Sequence, residues 1–265
     1  MTQAVSELFG RLWSDYLAHT PSAKPIHQLL GKGADIVNDH IALRTFNLAP
    51  VTVDALAEHF KAIGYVEAGQ YAFEAKKLKA KHFEHPDPTA PKVFISELLV
   101  EEMPEEVQTI IKKLVAQVDP KAVSAADFLI GNRPWQLSLA DYQTLAKHSE
   151  YASWTAAWGY RANHFTVSVN HLAGFDTLEA VNQALKDAGH VLNSSGGEIK
   201  GSPEVLLEQS STMADKGVVK FSDGELTIPS CFYEFALRYP QADGELYSGF
   251  VAASADKIFE STAQN

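Results

Sequence analysis

Cysteine is almost absent from this sequence. Cys231 stands alone among 265 residues, which excludes an internal disulfide framework and a thiolate metal cluster. Long apolar runs are missing too, since none approaches the roughly 18 residues that a membrane-spanning helix needs. Positive charge is scarce: 22 Lys and Arg face 33 Asp and Glu, for a net charge of −11 and a pI near 5.3. That balance argues against nucleic acid or an anionic membrane as partner, although a local basic pocket is compatible with it. The first residues, MTQAVSELFGRLWSDYL, carry an amphipathic helical pattern and no basic-then-apolar leader. The expected setting is therefore soluble and cytoplasmic. Two catalytic signatures are also missing. GKGAD near residue 31 falls short of a phosphate-binding loop, and there is no serine-centred nucleophile elbow, so a hydrolase has no support.

What is present is a repeat. The stretch NDHIALRTF, which contains His40, is echoed by ANHFTVSVN, which contains His164. Each is an Asn or Asp, then a His, then alternating apolar residues. Each is followed by a helical pattern: Val53, Leu56, Phe60 and Ile63 in the first copy, Leu178, Val181, Leu185 and Ala188 in the second. Both helices close on Lys-x-x-Gly-x-Val, where Gly64 and Gly189 mark the stop. Strands follow in each copy. AKHFEHPDPTAPKVFISELLV predicts two around a Pro/Asp turn, and GVVKFSDGELTIPSCFYEFALRY predicts three, with Asp223-Gly224 as a hairpin signal. The Gly/Ser-rich stretch 193–217 reads as a loop, a short helix or a lid.

The expected architecture is α+β. Two β-α-β-β-β modules, about 36–103 and 160–250, form a curved mixed sheet, with a helical insert at about 104–158 and the N-terminal helix outside it. A hydrophobic fraction of 46% suffices for one core, and a single domain over 1–265 is expected.

Strand side chains alternate faces. His40, Ala42 and Arg44 therefore share one face, and so do His164, Thr166 and Ser168. The opposite faces are more apolar and belong against helices. In CFYEFALRYP, Glu234 sits within an apolar run, sharing a face with Phe232, Ala236 and Arg238. A carboxylate there is costly unless it is paired or bound to metal. His40, His164 and Glu234 would make a two-His, one-carboxylate set, which leaves positions open on a divalent iron. Taken singly, each residue has a plainer reading: a packed core histidine, or an ion-pair partner for Arg238 or Arg161. The shared slot of the two histidines favours the metal. His82 and His85 are weaker ligand candidates, His59 and His148 read as surface, and Cys231 reads as core filler. Arg44 offers a guanidinium fork for a carboxylate, or a structural ion pair with Glu97 or Glu234.

Paired modules with ligands on their first and last strands resemble the vicinal oxygen chelate superfamily. More closely, DHIALRTF, NHFTVSV and FYEFALRYP resemble the 2-oxoadipate dioxygenase/decarboxylases, also called hydroxyglutarate synthases. The resemblance spans most of the chain. It implies an iron(II) enzyme, active in lysine catabolism, that decarboxylates and hydroxylates a 2-oxo dicarboxylic acid with dioxygen. The product would be a 2-hydroxy acid one carbon shorter. It assigns His40, His164 and Glu234 to iron and Arg44 to the substrate carboxylate, with Thr166, Ser168 and Phe232 lining the pocket and Tyr71 and Phe73 as further wall candidates. Enzymes of this family are longer than this chain, so chemistry transfers more readily than substrate identity. A monomer or homodimer is expected.

Two other readings remain open. If Glu97 in FISELLV is the counterpart of Glu234, four protein ligands would suit a glyoxalase-like isomerase or lyase. Alternatively, the scaffold could bind a small ligand without turnover.

Overall fold

The computed structural model describes residues 1–131 and 133–263. The single-domain expectation over 1–265 also takes in Asn132, Gln264 and Asn265, which lie outside the described residues. Helices α1 (Gln3–His19) and α2 (Ala23–Gly31) precede the first module: β1 (Asn38–Phe46), α3 (Val53–Lys61), β2 (Val66–Phe73), β3 (Leu78–Glu84) and β4 (Lys92–Leu98). The insert carries α4 (Glu105–Val115), α5 (Leu139–His148) and α6 (Glu150–Trp158). The second module is β5 (Ala162–Ser168), α7 (Leu178–Asp187), β6 (Lys200–Ser202), β7 (Leu207–Ser211), β8 (Lys216–Phe221), β9 (Gly224–Pro229) and β10 (Phe232–Arg238). Helix α8 (Ala252–Ile258) and a 3-10 turn, Phe259–Thr262, follow.

Eight strands form one sheet in the order β2-β3-β4-β1-β5-β10-β7-β6. The order is the same read outward from the centre in either direction: first strand, last strand, then the two between. β1 runs parallel to β4 and β5 parallel to β10, while β1 and β5 join the halves antiparallel. Helix α8 packs on β2 and also on β6 and β7, at opposite edges of the sheet. Eight strands laid flat would span about 34 Å, and a seven-residue helix is only about 10 Å long. The sheet must therefore curl round α8, giving a concave inner face and a convex outer one.

Local chemistry explains the helices. Thr2, Thr52, Ser138, Ser149 and Thr177 each cap a helix by accepting a backbone N–H three residues on. The two repeat glycines end α3 and α7 in the same way. Gly64 and Gly189 take φ of 103° and 85°, and the next residue's N–H returns to Phe60 or Leu185. On the convex face, Trp13 of α1 packs edge-on and Tyr16 tilted against Phe165, at 4.9 Å each. Of the insert, α6 departs from an outer position, because Tyr151 to Trp158 are all buried.

The second module's strands differ from the expected ones. β6 and β7 come from the 193–217 stretch, which read as a loop, short helix or lid. β8 and β9 leave the main sheet as a separate hairpin, so only β10 of the three expected strands joins it. The reason is physical. β7, LEQSS, is polar yet buried at four of its five positions, because polar side chains line the concave face. Its composition hides a core strand.

Candidate metal centre

His40, His164 and Glu234, the three candidate ligands, come from three adjacent strands, β1, β5 and β10. Register places His40, Thr166 and Glu234 in one row across the sheet, and Ala42, His164 and Phe232 in the next. The short side chains of Thr166 and Ala42 leave space between the three larger ones. His40 Nε2 lies 3.4 Å from Glu234 Oε1, and His164 Nε2 lies 3.1 Å from Glu234 Oε2. One donor atom from each residue falls within 4.8 Å of the others. Neighbouring donors held at roughly 2.0–2.2 Å from one ion are separated by about 3.0–3.5 Å, so this spacing suits a shared cation.

Hydrogen bonds set which nitrogen each ring offers. His40 Nδ1 donates to Asp39 Oδ1 at 2.7 Å, and His164 Nδ1 faces Asn163 Oδ1 at 3.1 Å. Both rings therefore turn an Nε2 lone pair inward. Glu234 Oε1 accepts from Gln209 Nε2 at 2.6 Å. His164 Nε2 and Glu234 Oε2 are buried with no hydrogen-bond partner. Two acceptors facing each other without a donor are what a metal position looks like before the ion is added. Burial pushes the Glu234 carboxyl above its ordinary value. Burial, with His40 and Arg44 nearby, pushes His164 well below its own, favouring the neutral ring that a metal needs.

Asp39 is itself anchored. Arg238 grips it with Nε at 2.7 Å and Nη2 at 2.9 Å. Burial raises the Asp39 carboxyl, but the Arg238 guanidinium and His40 outweigh it and hold it well below the usual range. Neither Asp39 nor Gln209 stood out as functional in the sequence. A signal for Asp39 was there, since both copies place a side-chain oxygen, Asp39 or Asn163, directly before the histidine.

Arg44 lies on the concave face with His40, but four residues of strand, roughly 13 Å, separate their backbones. Its expected ion-pair partners, Glu97 and Glu234, are not the ones it has. Nη1 donates to Glu150 Oε1 and Nη2 to Thr262 Oγ1, each at 2.9 Å, while Nε is buried without a partner. Tyr151, Trp154 and Phe259 surround the guanidinium at 5.0–5.4 Å. A cavity of about 410 Å³ borders Glu150, Tyr151 and Phe259.

The other expected wall residues divide. Thr166 Oγ1 is 3.1 Å from His40 Nε2, beside the candidate metal position. Phe232 packs its ring 4.6 Å from His164, supporting a ligand. Ser168 Oγ is turned to His171 Nδ1 at 2.8 Å. Phe73 packs on Phe94 and Phe259, and Tyr71 bonds His82. His82 is not near the metal position; it pairs with Tyr71 and Glu84, and His85 packs beside Tyr65. Cys231 is buried, and burial pushes its thiol up to about 12, as suits core filler.

Glu97 is not a fourth ligand. Its Oε2 accepts the Val53 N–H at 2.9 Å, at the start of α3 on the convex side. Register shows why. Glu234 lies two residues beyond the partner of His164, and the matching position in β4, two beyond Lys92, the partner of His40, is Phe94. Glu97 is three residues further on and faces the other way.

Comparison with known proteins identifies the family. The profile of the 2-oxoadipate dioxygenase/decarboxylase family matches residues 4–242. A chloroplastic 2-oxoadipate dioxygenase/decarboxylase of Arabidopsis thaliana is 36% identical, over 97% of this chain and 77% of its own length. The hydroxyglutarate synthase of Oryza sativa, solved with 2-oxoadipate, is 34% identical with a TM-score of 0.91. It aligns over 99% of this chain and 94% of its own. A solved protein of Shewanella frigidimarina with a provisional hydrolase name is 66% identical, with a TM-score of 0.91, over 96% of this chain and all of its own. The chain belongs to the 2-oxoadipate dioxygenase/decarboxylase family.

Proposed function

We propose that this chain is an iron(II)-dependent enzyme that decarboxylates and hydroxylates a 2-oxo dicarboxylic acid such as 2-oxoadipate, using dioxygen. The product is a 2-hydroxy acid one carbon shorter. The observation that carries the reading is the set of inward donor atoms on His40, His164 and Glu234, two of them orphaned, with no fourth protein ligand beside them among the described residues. Bound there, iron(II) supplies the oxygen chemistry that no side chain in the site can perform.

The chain's own residues do the rest. Asp39 and Asn163 hold the two rings with Nε2 inward, and Gln209 holds one oxygen of Glu234. The three ligands are at most 6% exposed, so bulk water is kept from the reacting atoms. Arg44 binds the distal carboxylate of the substrate through its partnerless Nε and the adjacent Nη2, with the Thr262 hydroxyl giving way. Glu150 keeps Nη1 and fixes the plane of the fork. Thr166 and Phe232 shape the space beside the ligands.

The test is anaerobic reconstitution with iron(II) followed by a screen of 2-oxo acids on admission of air. Oxygen uptake matched by carbon dioxide release, highest with a six-carbon dicarboxylic 2-oxo acid, is expected. An iron-loaded protein that consumes no oxygen with any 2-oxo acid sinks the proposal.

A further inference from the structure

His82 is a buried histidine with no part in the proposed chemistry. It is 2% exposed. Its Nε2 pairs with Glu84 Oε1 at 2.9 Å, and its Nδ1 meets the Tyr71 hydroxyl at 2.9 Å. The carboxylate on Nε2 makes that nitrogen the donor, so Nδ1 accepts the Tyr71 proton. The Tyr71 oxygen is then free to accept, and it takes the backbone N–H of Phe250 at 3.1 Å. Burial raises the Tyr71 pKa, so the hydroxyl keeps the proton this chain of bonds requires.

The chain of bonds is built into the strands. Gly69 pairs with His82 across β2 and β3. A Cβ on Gly69 would stand 2.7 Å from His82 Nδ1 and 2.9 Å from the Tyr71 oxygen. Only glycine there leaves room for the two groups to meet.

Phe250 is what this arrangement holds. Its ring stands edge-on to His40, 4.8 Å away at 88°, and also touches Phe94 and His82. The segment before it is fastened too, because Arg238 Nη1 donates to the carbonyls of Tyr247 and Gly249 at 2.8 Å each.

We propose that Tyr71, His82 and Glu84 are positioning residues that fasten Phe250 over His40, so that they govern how readily the metal position opens on the first-module side. The proposal rests on the metal position proposed above and is independent of which acid is the substrate. Phe250 is the cover, and the three polar residues act through it.

The experiment uses the full chain and cobalt(II) alone as probe. Two rates are read: release of cobalt(II) to excess EDTA, and exchange of the Phe250 amide in the metal-free protein. Tyr71→Phe removes both hydrogen bonds of the hydroxyl, the one to His82 and the one from the Phe250 N–H, and is expected to speed both rates by roughly 3- to 10-fold. Glu84→Gln, at the half-exposed end, keeps the fold and should act in the same direction, about 2- to 4-fold. Phe250→Ala removes the cover and should speed cobalt release at least as much as Tyr71→Phe. The double variant Tyr71→Phe with Phe250→Ala should release cobalt no faster than Phe250→Ala alone. Unchanged rates in both Tyr71→Phe and Glu84→Gln overturn the proposal. So does a double variant whose effects multiply, or a lowered melting temperature with neither rate changed. A parent protein that fails to bind cobalt(II) overturns the metal position instead, while amide exchange still tests the fastening.

Discussion

Asp39 accepts a hydrogen bond from Nδ1 of the adjacent His40 at 2.7 Å, which fixes Nε2 as the lone-pair nitrogen of that ring. A carboxylate behind a metal-binding imidazole raises its basicity and holds its orientation. Asp39→Asn keeps an oxygen for His40 but removes the charge that Arg238 grips. Metal affinity should fall about 10- to 100-fold, measured by competition with a chromophoric chelator. The metal-free melt should show a separate loss, since a buried Arg238 is left without its counter-charge. Unaltered affinity would falsify the supporting role.

Glu234→Gln separates binding from folding. The Glu234 carboxylate is 1% exposed, receives one hydrogen bond from Gln209 and makes no direct ion pair with a lysine or arginine among the described residues. Without metal it is a buried charge held against its desolvation cost. The neutral amide should therefore abolish tight metal binding while stabilising the metal-free fold, on the order of 1–3 kcal/mol. Calorimetry on both metal-free proteins checks it, and a lower melting temperature for the variant contradicts the argument.

Glu97→Gln discriminates against a four-ligand centre. Because Glu97 holds the Val53 N–H on the convex side, metal affinity should stay within twofold of the parent. Stability should fall by about 0.5–1 kcal/mol, as for a weakened helix start. Titration with zinc and a urea melt read the two effects. A loss of metal as large as that of Glu234→Gln would restore the glyoxalase-like reading.

Lys200 gives a pH dependence. It is buried, donates to the carbonyls of Asn193 and Glu198, and burial lowers its pKa to about 8 against the pull of Glu234 and Glu198. Between pH 8 and roughly 10.4 the unfolded chain keeps a proton there that the folded chain has released. Stability from this group therefore rises with pH across that window. Above about pH 10, Tyr16, Tyr151 and Tyr233, pushed up by burial, keep protons that the unfolded chain loses, and stability falls. Urea melts at pH 7.5, 8.5 and 9.5 should show the rise, and Lys200→Met should flatten it. An equal slope in both proteins assigns the effect elsewhere.

Much of this molecule can be read from its periodicities. Strand alternation placed His40, His164 and Glu234 on one face, and the Lys-x-x-Gly-x-Val endings located both helix stops. β7 was missed because its polar residues look toward a buried polar face. Alternation alone also cannot say what fills that face. The partners of Arg44, Glu150 from the insert and Thr262 from the last turn, are 106 and 218 residues away in sequence and share no motif with it. Phe250 over His40 is equally non-local. Contacts set by the curl of the sheet are legible only once the strand order is known.

Arg44→Lys tests the substrate end of the site. The guanidinium holds Glu150 with Nη1 and leaves the Nε edge for a second carboxylate. Lysine keeps the charge but loses the planar two-point grip. A charge-assisted hydrogen bond in a buried site is worth about 2–3 kcal/mol, or roughly 30- to 150-fold in kcat/KM. A dicarboxylic 2-oxo acid should carry that loss, and a monocarboxylic one of equal length should lose far less. Cobalt(II) affinity should hardly move, because Arg44 is not a ligand. The box of Tyr151, Trp154 and Phe259 fits a flat cation better than an ammonium, so some stability is lost as well. That loss falls on both substrates alike, so the ratio of their kcat/KM values isolates the carboxylate. An unchanged ratio would mean that Arg44 serves the fold, joining β1 to α6 and the last turn, and that the distal carboxylate is held elsewhere.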